Sequence, residues 1–138
     1  MHYGWPTDID PFGPKFVGRF AKFCEAVARK LKPYHDSSPD NGPFYQPLNE
    51  ISFLSWAMTH TGLIHTLNSS FSHRSFELKR QLVLAALRGT EAIWSVDPRA
   101  RIINTDPIIH IVPPLNALTE QLEDTKRHNE YAFQVWDM

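Results

Sequence analysis

The sequence predicts an α/β chain built from parallel βαβ units. Three observations carry that reading. Two long stretches repeat apolar residues at helical spacing, two short β-prone runs lie between turn residues, and the two kinds of segment alternate along the chain. The chain has 138 residues, close to the size of one domain.

The first thirteen residues, MHYGWPTDIDPFG, are rich in Pro, Gly and Asp and predict a loop. Asp8 and Asp10 there suit tying the loop or capping the helix that follows. From Pro14, residues Phe16, Phe20, Phe23, Val27 and Leu31 recur on one face of a helix, with Pro33 as its stop. Cys24, the only cysteine, reads as a small buried hydrophobe on that helix. A lone cysteine rules out an internal disulfide and a thiolate metal cluster, and fits a reducing, cytoplasmic setting.

After the polar connector PYHDSSPDNGP, the run PFYQPLN predicts a strand over about 44–48. Residues 51–72 mix apolar and small polar residues without a clean period and predict a long loop with one or two helical turns. A long helix follows over about 74–95, with Leu78, Leu82, Ala86, Gly89 and Ile93 as its buried stripe. RARIINTDP predicts a second strand over about 100–105. Pro107, Pro113 and Pro114 break the next segment, and a last helix carries Leu118, Leu122, Thr125 and Asn129 on one side. Two or three strands cannot bury both faces of a parallel sheet, so the pattern reads as a slice of a larger sheet.

Charge and hydropathy narrow the partners. Fourteen basic and 15 acidic residues leave a net charge of −1, which gives no electrostatic pull toward nucleic acid or an anionic membrane. No apolar run approaches the ~20 residues of a spanning helix, and no signal-peptide layout opens the chain. No metal is expected, since His60, His65 and His73 match no compact ligand spacing and suit loop bracing.

In parallel α/β architectures ligands meet the loops that follow the strands. Three polar clusters fall there and would share one rim. They are His2 to Pro6, Asn49-Glu50, and Asn104-Thr105-Asp106. Glu50 sits between apolar Leu48 and Ile51, where partial burial would raise its pKa and suit it to hold a proton near neutrality. Asn49 offers an amide to a hydroxyl, and Trp5, Tyr45 and Trp56 offer flat apolar faces for a sugar ring. The plainer alternative makes Asn49-Glu50 a helix cap, with Glu50 in the first turn, and Asp106 an ordinary turn starter before Pro107.

The runs "HYGWP" and, after a helix and loop, "FYQPLNE" resemble motifs of the (β/α)8-barrel retaining glycosidases, most closely the β-glucosidase-like proteins of glycoside hydrolase family 1. There a His-Trp/Tyr-Asp-Leu-Pro motif follows the third barrel strand and Thr-x-Asn-Glu-Pro ends the fourth. The resemblance implies a partial TIM barrel, from the end of strand three to the helix after strand five. It implies Glu50 as the acid/base, Asn49 as the amide on the sugar 2-hydroxyl, and His2 as an imidazole on a sugar hydroxyl. The departures are Gly4 for Asp, Trp5 for Leu, Gln46 or Pro47 for Thr, and Ile51 for Pro. A whole barrel takes about 250 residues, and nothing here matches the family's nucleophile after strand seven. The chain alone is therefore expected to be inactive, to need no cofactor, to meet a small carbohydrate or glycoside, and to self-associate through exposed barrel edges. Asp106 as a second carboxyl would make an inverting site. The competing reading is a non-catalytic carbohydrate-binding or interaction protein with a decayed barrel.

Overall fold

The computed structural model describes residues 6, 8–37, 42–61, 64 and 69–138. In order come helix α1 (Lys15–His35), strand β1 (Phe44–Tyr45), helix α2 (Ile51–Trp56), helix α3 (Ser75–Val96), strand β2 (Arg101–Ile102), helix α4 (Thr119–Tyr131) and helix α5 (Gln134–Asp137). A π-helical turn, Ala57–Thr61, continues α2, and a 3-10 turn, Ser69–Arg74, leads into α3. The two strands pair in parallel, Phe44 with Arg101 and Tyr45 with Ile102. The chain is thus largely helical around a small parallel sheet, an α/β arrangement.

Both strands are shorter than expected. The ladder stops after Tyr45 and resumes as a single bridge between Asn49 and Thr105. Asn49 lies four positions past Tyr45, whereas Thr105 lies three past Ile102. The extra residue, beside Pro47 with its missing N–H, breaks the pairing and bends the chain at the strand's end.

Helices α1 and α3 pack on each other and on one face of the sheet. Cys24 and Ala28 of α1, Ile93 of α3 and Ala100 form a core cluster that also receives Tyr45 and Ile102. Gly89 lets the helices approach closely, since a Cβ there would lie 2.9 Å from Cys24 Sγ and 3.1 Å from Phe20 Cε1. Burial pushes the Cys24 thiol up to about 11, so it stays protonated and inert near neutral pH. The buried side of α1 is therefore Phe16, Cys24 and Ala28 with Phe20 beside them, a correction to the expected stripe. Phe23 is 62% exposed and Leu31 lies at the surface. Small side chains won that contact because they admit the neighbouring helix. The helix also runs through Pro33 to His35, which is tolerable because only one turn follows the lost hydrogen bond. The α3 stripe is Leu78, Leu82, Ala85, Gly89 and Ile93, as expected apart from Ala85 in place of Ala86.

Residues 51–61 are helical rather than loop. Leu54, Ser55, Ala57, Met58 and Thr59 are fully buried there. The buried hydroxyls turn back on their own helix, Ser55 Oγ donating to Ser52 O at 3.0 Å and Thr59 Oγ1 to Ser55 O at 2.8 Å. Such satisfied serines and threonines can sit on the core side, which erases the apolar period. The loop at the N-terminal end of the domain is tied as the acids suggested. Asp8 pairs with Arg19 at 2.6 Å and Asp10 Oδ1 accepts from Phe12 N–H at 2.9 Å.

The other face of the sheet carries no helix among the described residues. Phe44, 59% exposed, lies there under the Arg101 guanidinium, 4.7 Å from its ring centre, with Ile103 close to the surface. The last predicted helix is split by the turn at Ala132 and Phe133. α4 buries none of its residues and is tied to the preceding segment by Asn129, whose side chain bonds both Ile111 N–H and Ile111 C=O. α5 buries Val135 against the main core. No described helix is long and apolar enough to cross a membrane.

Candidate active site

The chain turns from β1 into α2 at Asn49-Glu50, beside the end of β2. Two consecutive β2-side residues hold that corner. Thr105 C=O accepts the Glu50 N–H at 3.0 Å, and Thr105 Oγ1 donates to Asn49 Oδ1 at 2.9 Å. Asp106 Oδ1 accepts the Ser52 N–H at 2.8 Å. Gln46 Nε2 donates to Asn49 Oδ1 at 2.6 Å and also reaches Thr105 Oγ1. Gln46, Asn49 and Thr105 thus close a small polar ring over the strand ends.

Glu50 has φ 51° and ψ 61°, and it is the only non-glycine residue with positive φ among those described. An L-residue in this left-handed region is strained by roughly 1–2 kcal/mol. Glu50 is the N-cap residue of α2 and its C=O accepts from Leu54 N–H at 2.8 Å, but its side chain makes no capping bond. The helix-cap reading is thus half right. A helix starts here, and Asp106 from the other strand supplies the carboxylate that caps it. Bonds to a charged acceptor are worth about 1.5–3 kcal/mol, enough to offset the strain.

Asp106 stands in a confined place. Its Oδ2 and the Ser52 hydroxyl are buried without a hydrogen-bond partner. The Lys79 ammonium, half-buried on α3, donates to Gln134 Oε1 of α5 at 3.0 Å. Burial lowers the Lys79 pKa, and the Asp106 charge opposes that shift. The Lys79–Gln134 bond links α3 to α5.

Of the residues singled out in the sequence, Asn49, Glu50 and Asp106 come together at this corner. His2 and Trp5 lie outside the described residues, as does His65. Tyr45 does not face the rim. Its ring packs into the cluster between α1 and α3, 6.2 Å from the His35 ring, and its buried hydroxyl has no partner. A stacking role for Tyr45 is corrected on that ground, since the strand's alternation sends it to the helix side. Burial, and then the Asp97 charge, raise its pKa. Trp56 ends α2, some 9 Å along the helix axis from Glu50. It is 46% exposed and tilted against Phe53 at 5.9 Å. The aromatic faces beside Asn49 are instead Phe20 and Phe23. With Gln46, Pro47 and Asn49 they line a hollow of about 280 Å³.

Thr105 belongs to the Asn104-Thr105-Asp106 cluster that the sequence offers, whereas Gln46, Ser52, Lys79 and Gln134 are not candidates from sequence. Gln46 has a signal, as a polar residue inside the β-prone run just before Asn49. Lys79 has another, as a lysine beside the apolar stripe of α3. Replacing Glu50 by glycine is expected to raise stability by about 0.5–1 kcal/mol, since glycine adopts the left-handed region freely and loses part of that gain to unfolded-state entropy. A urea titration of Glu50→Gly checks this, and a drop in its midpoint would refute the strain.

Comparison of the chain with family models, with curated proteins and with solved structures finds no match.

Proposed function

We propose that the chain is part of a (β/α)8 barrel of the β-glucosidase-like kind, and that its Asn49-Glu50 corner is the acid/base half of a glycosidase site. The observation that carries this reading is Glu50 itself. It is a carboxyl at the end of a parallel strand, held in a strained backbone conformation by bonds from the neighbouring strand, as functional residues often are. Helices on one face of a parallel pair, with the other face open, also favour a barrel wall over a doubly wound sheet. In this role Glu50 protonates the leaving oxygen, and Asn49 orients the sugar through its amide NH2, its carbonyl oxygen being taken by Gln46 and Thr105. Ile103, Phe44 and the apolar 108–118 stretch would then be covered by further barrel elements or by a second copy.

One feature favours a binding rather than catalytic role for these residues alone. A retaining site needs a second carboxyl about 5–5.5 Å away. Asp106, the nearest rim candidate, has one oxygen on Ser52 N–H and the other buried.

Titrating the isotope-labelled chain with a panel of nitrophenyl glycosides tests the proposal. The expected result is saturable shift changes at the Asn49, Glu50 and Thr105 amides, no nitrophenol release, and roughly tenfold weaker binding for Asn49→Ala. Shift changes confined to other regions, or none with any sugar, would reject it.

A further inference from the structure

We infer that Asp106 is a positioning residue that sets the direction in which the Glu50 side chain leaves the backbone; what Glu50 is positioned for rests on the glycosidase reading above. The left-handed conformation of Glu50 is not secured by its own side chain, which makes no capping bond. It is secured from both sides. Thr105 C=O holds the Glu50 N–H, and Asp106 Oδ1 holds the Ser52 N–H two residues on. The peptide before the Glu50 Cα is held by Thr105 C=O and the one after it by the Leu54 N–H on the Glu50 C=O at 2.8 Å, while Asp106 Oδ1 pins the first turn of α2 on which that second bond depends. The Asp106 bond is part-buried and comes from a side chain, so a substitution can remove it without touching the backbone bonds. Without it the first turn of α2 is free to rewind, Glu50 relaxes to the right-handed region, and its Cβ points elsewhere.

The cluster around Asp106 supports a latch rather than a substrate contact. Its second oxygen is buried, which leaves it no open face toward a ligand. Asp106 acts through Ser52 and the backbone, not by touching a ligand.

The test uses the labelled 138-residue chain with no sugar present. In Asp106→Ala, couplings that report the Glu50 φ are expected to leave the left-handed range. Amide exchange at Ser52 should speed by about tenfold while Leu82 and Ala85, in the middle of α3, keep their protection. Asp106→Asn keeps an acceptor oxygen and is expected to retain both the Glu50 couplings and the Ser52 protection. Two results overturn the inference. One is Asp106→Ala with Glu50 still left-handed. The other is Asp106→Asn behaving like Asp106→Ala, with all amides losing protection together. Because no sugar is involved, a chain that passes this test and binds no glycoside refutes the sugar reading and leaves the latch standing.

Discussion

Gly42→Ala is expected to destabilise the chain by about 3 kcal/mol or more and to lower its melting temperature by roughly 10 °C. A Cβ at position 42 would sit 1.9 Å from the Arg99 carbonyl oxygen and 2.7 Å from its carbonyl carbon. Neither atom belongs to a flexible side chain that could swing aside. Arg99 sits in the turn that leads into β2, and the next hydrogen bonds along are Arg101 N–H to Pro43 C=O and Ile103 N–H to Tyr45 C=O, both 2.8 Å. Relief of the clash must therefore push the start of β1 away from β2. With so short a ladder, that shift travels to the Asn49–Thr105 bridge and the Glu50 corner. Urea unfolding together with amide exchange at Arg101 and Ile103 checks the prediction. An unchanged midpoint, with Arg101 still protected, would mean that the strands do not approach as described.

The parts of this fold that could be read from sequence are those whose side chains meet the core on one face only. α3 is the clearest, because its apolar stripe faces α1 and its other side meets water. For α1 the position along the chain and the buried Cys24 are legible in the sequence, but its bulky Phe23 and Leu31 suggest a stripe that the structure leaves at the surface, with Ala28 buried instead. The determining residue is on another helix, since Gly89 lets α1 come close enough for Cys24 and Phe20 to pack over it. Residues 51–61 were unreadable for the opposite reason. They are buried on several sides, with Trp56, His60 and Thr61 at the surface, and serine and threonine hydroxyls bonded to the helix backbone look like loop chemistry. At the candidate site, the polar pair Asn49-Glu50 after a strand-like run was visible as an anomaly. Its left-handed backbone was not, because glutamate carries no local preference for it. That conformation comes from Thr105 and Asp106, more than fifty residues further on.

At the opposite end of β2 from the Glu50 corner, Asp97 gives the second large effect. Its residue is 1% exposed, and its carboxylate takes three bonds from Arg99. They come from the backbone N–H at 3.1 Å, Nε at 2.9 Å and a terminal nitrogen at 2.8 Å. The same guanidinium reaches Asp36 at 2.6 Å, just past the end of α1. The network thus joins the α1–β1 turn to the α3–β2 turn. The Arg99 hydrogen bonds hold the Asp97 carboxyl down to about 2, against an ordinary 3.8, in spite of its burial. A carboxyl depressed on folding stabilises the folded state above its unfolded pKa, and loses that contribution as pH falls toward its folded one. Wild-type stability should therefore fall between about pH 4 and pH 2. Asp97→Asn should be flatter across that window. At neutral pH the same variant is expected to cost about 3 kcal/mol, the lower end for breaking a buried pair, because Arg99 is partly exposed and keeps Asp36. Urea midpoints of both proteins from pH 2 to pH 7 measure this, and parallel curves would reject the ion pair as the cause. The network sits at the N-terminal ends of the strands, where side chains of parallel α/β folds hold the structure rather than meet ligands. The folded Asp97→Asn protein should accordingly keep Glu50 left-handed and its latch to Asp106 closed, which separates the stabilising end of this sheet from the end that presents the carboxyl.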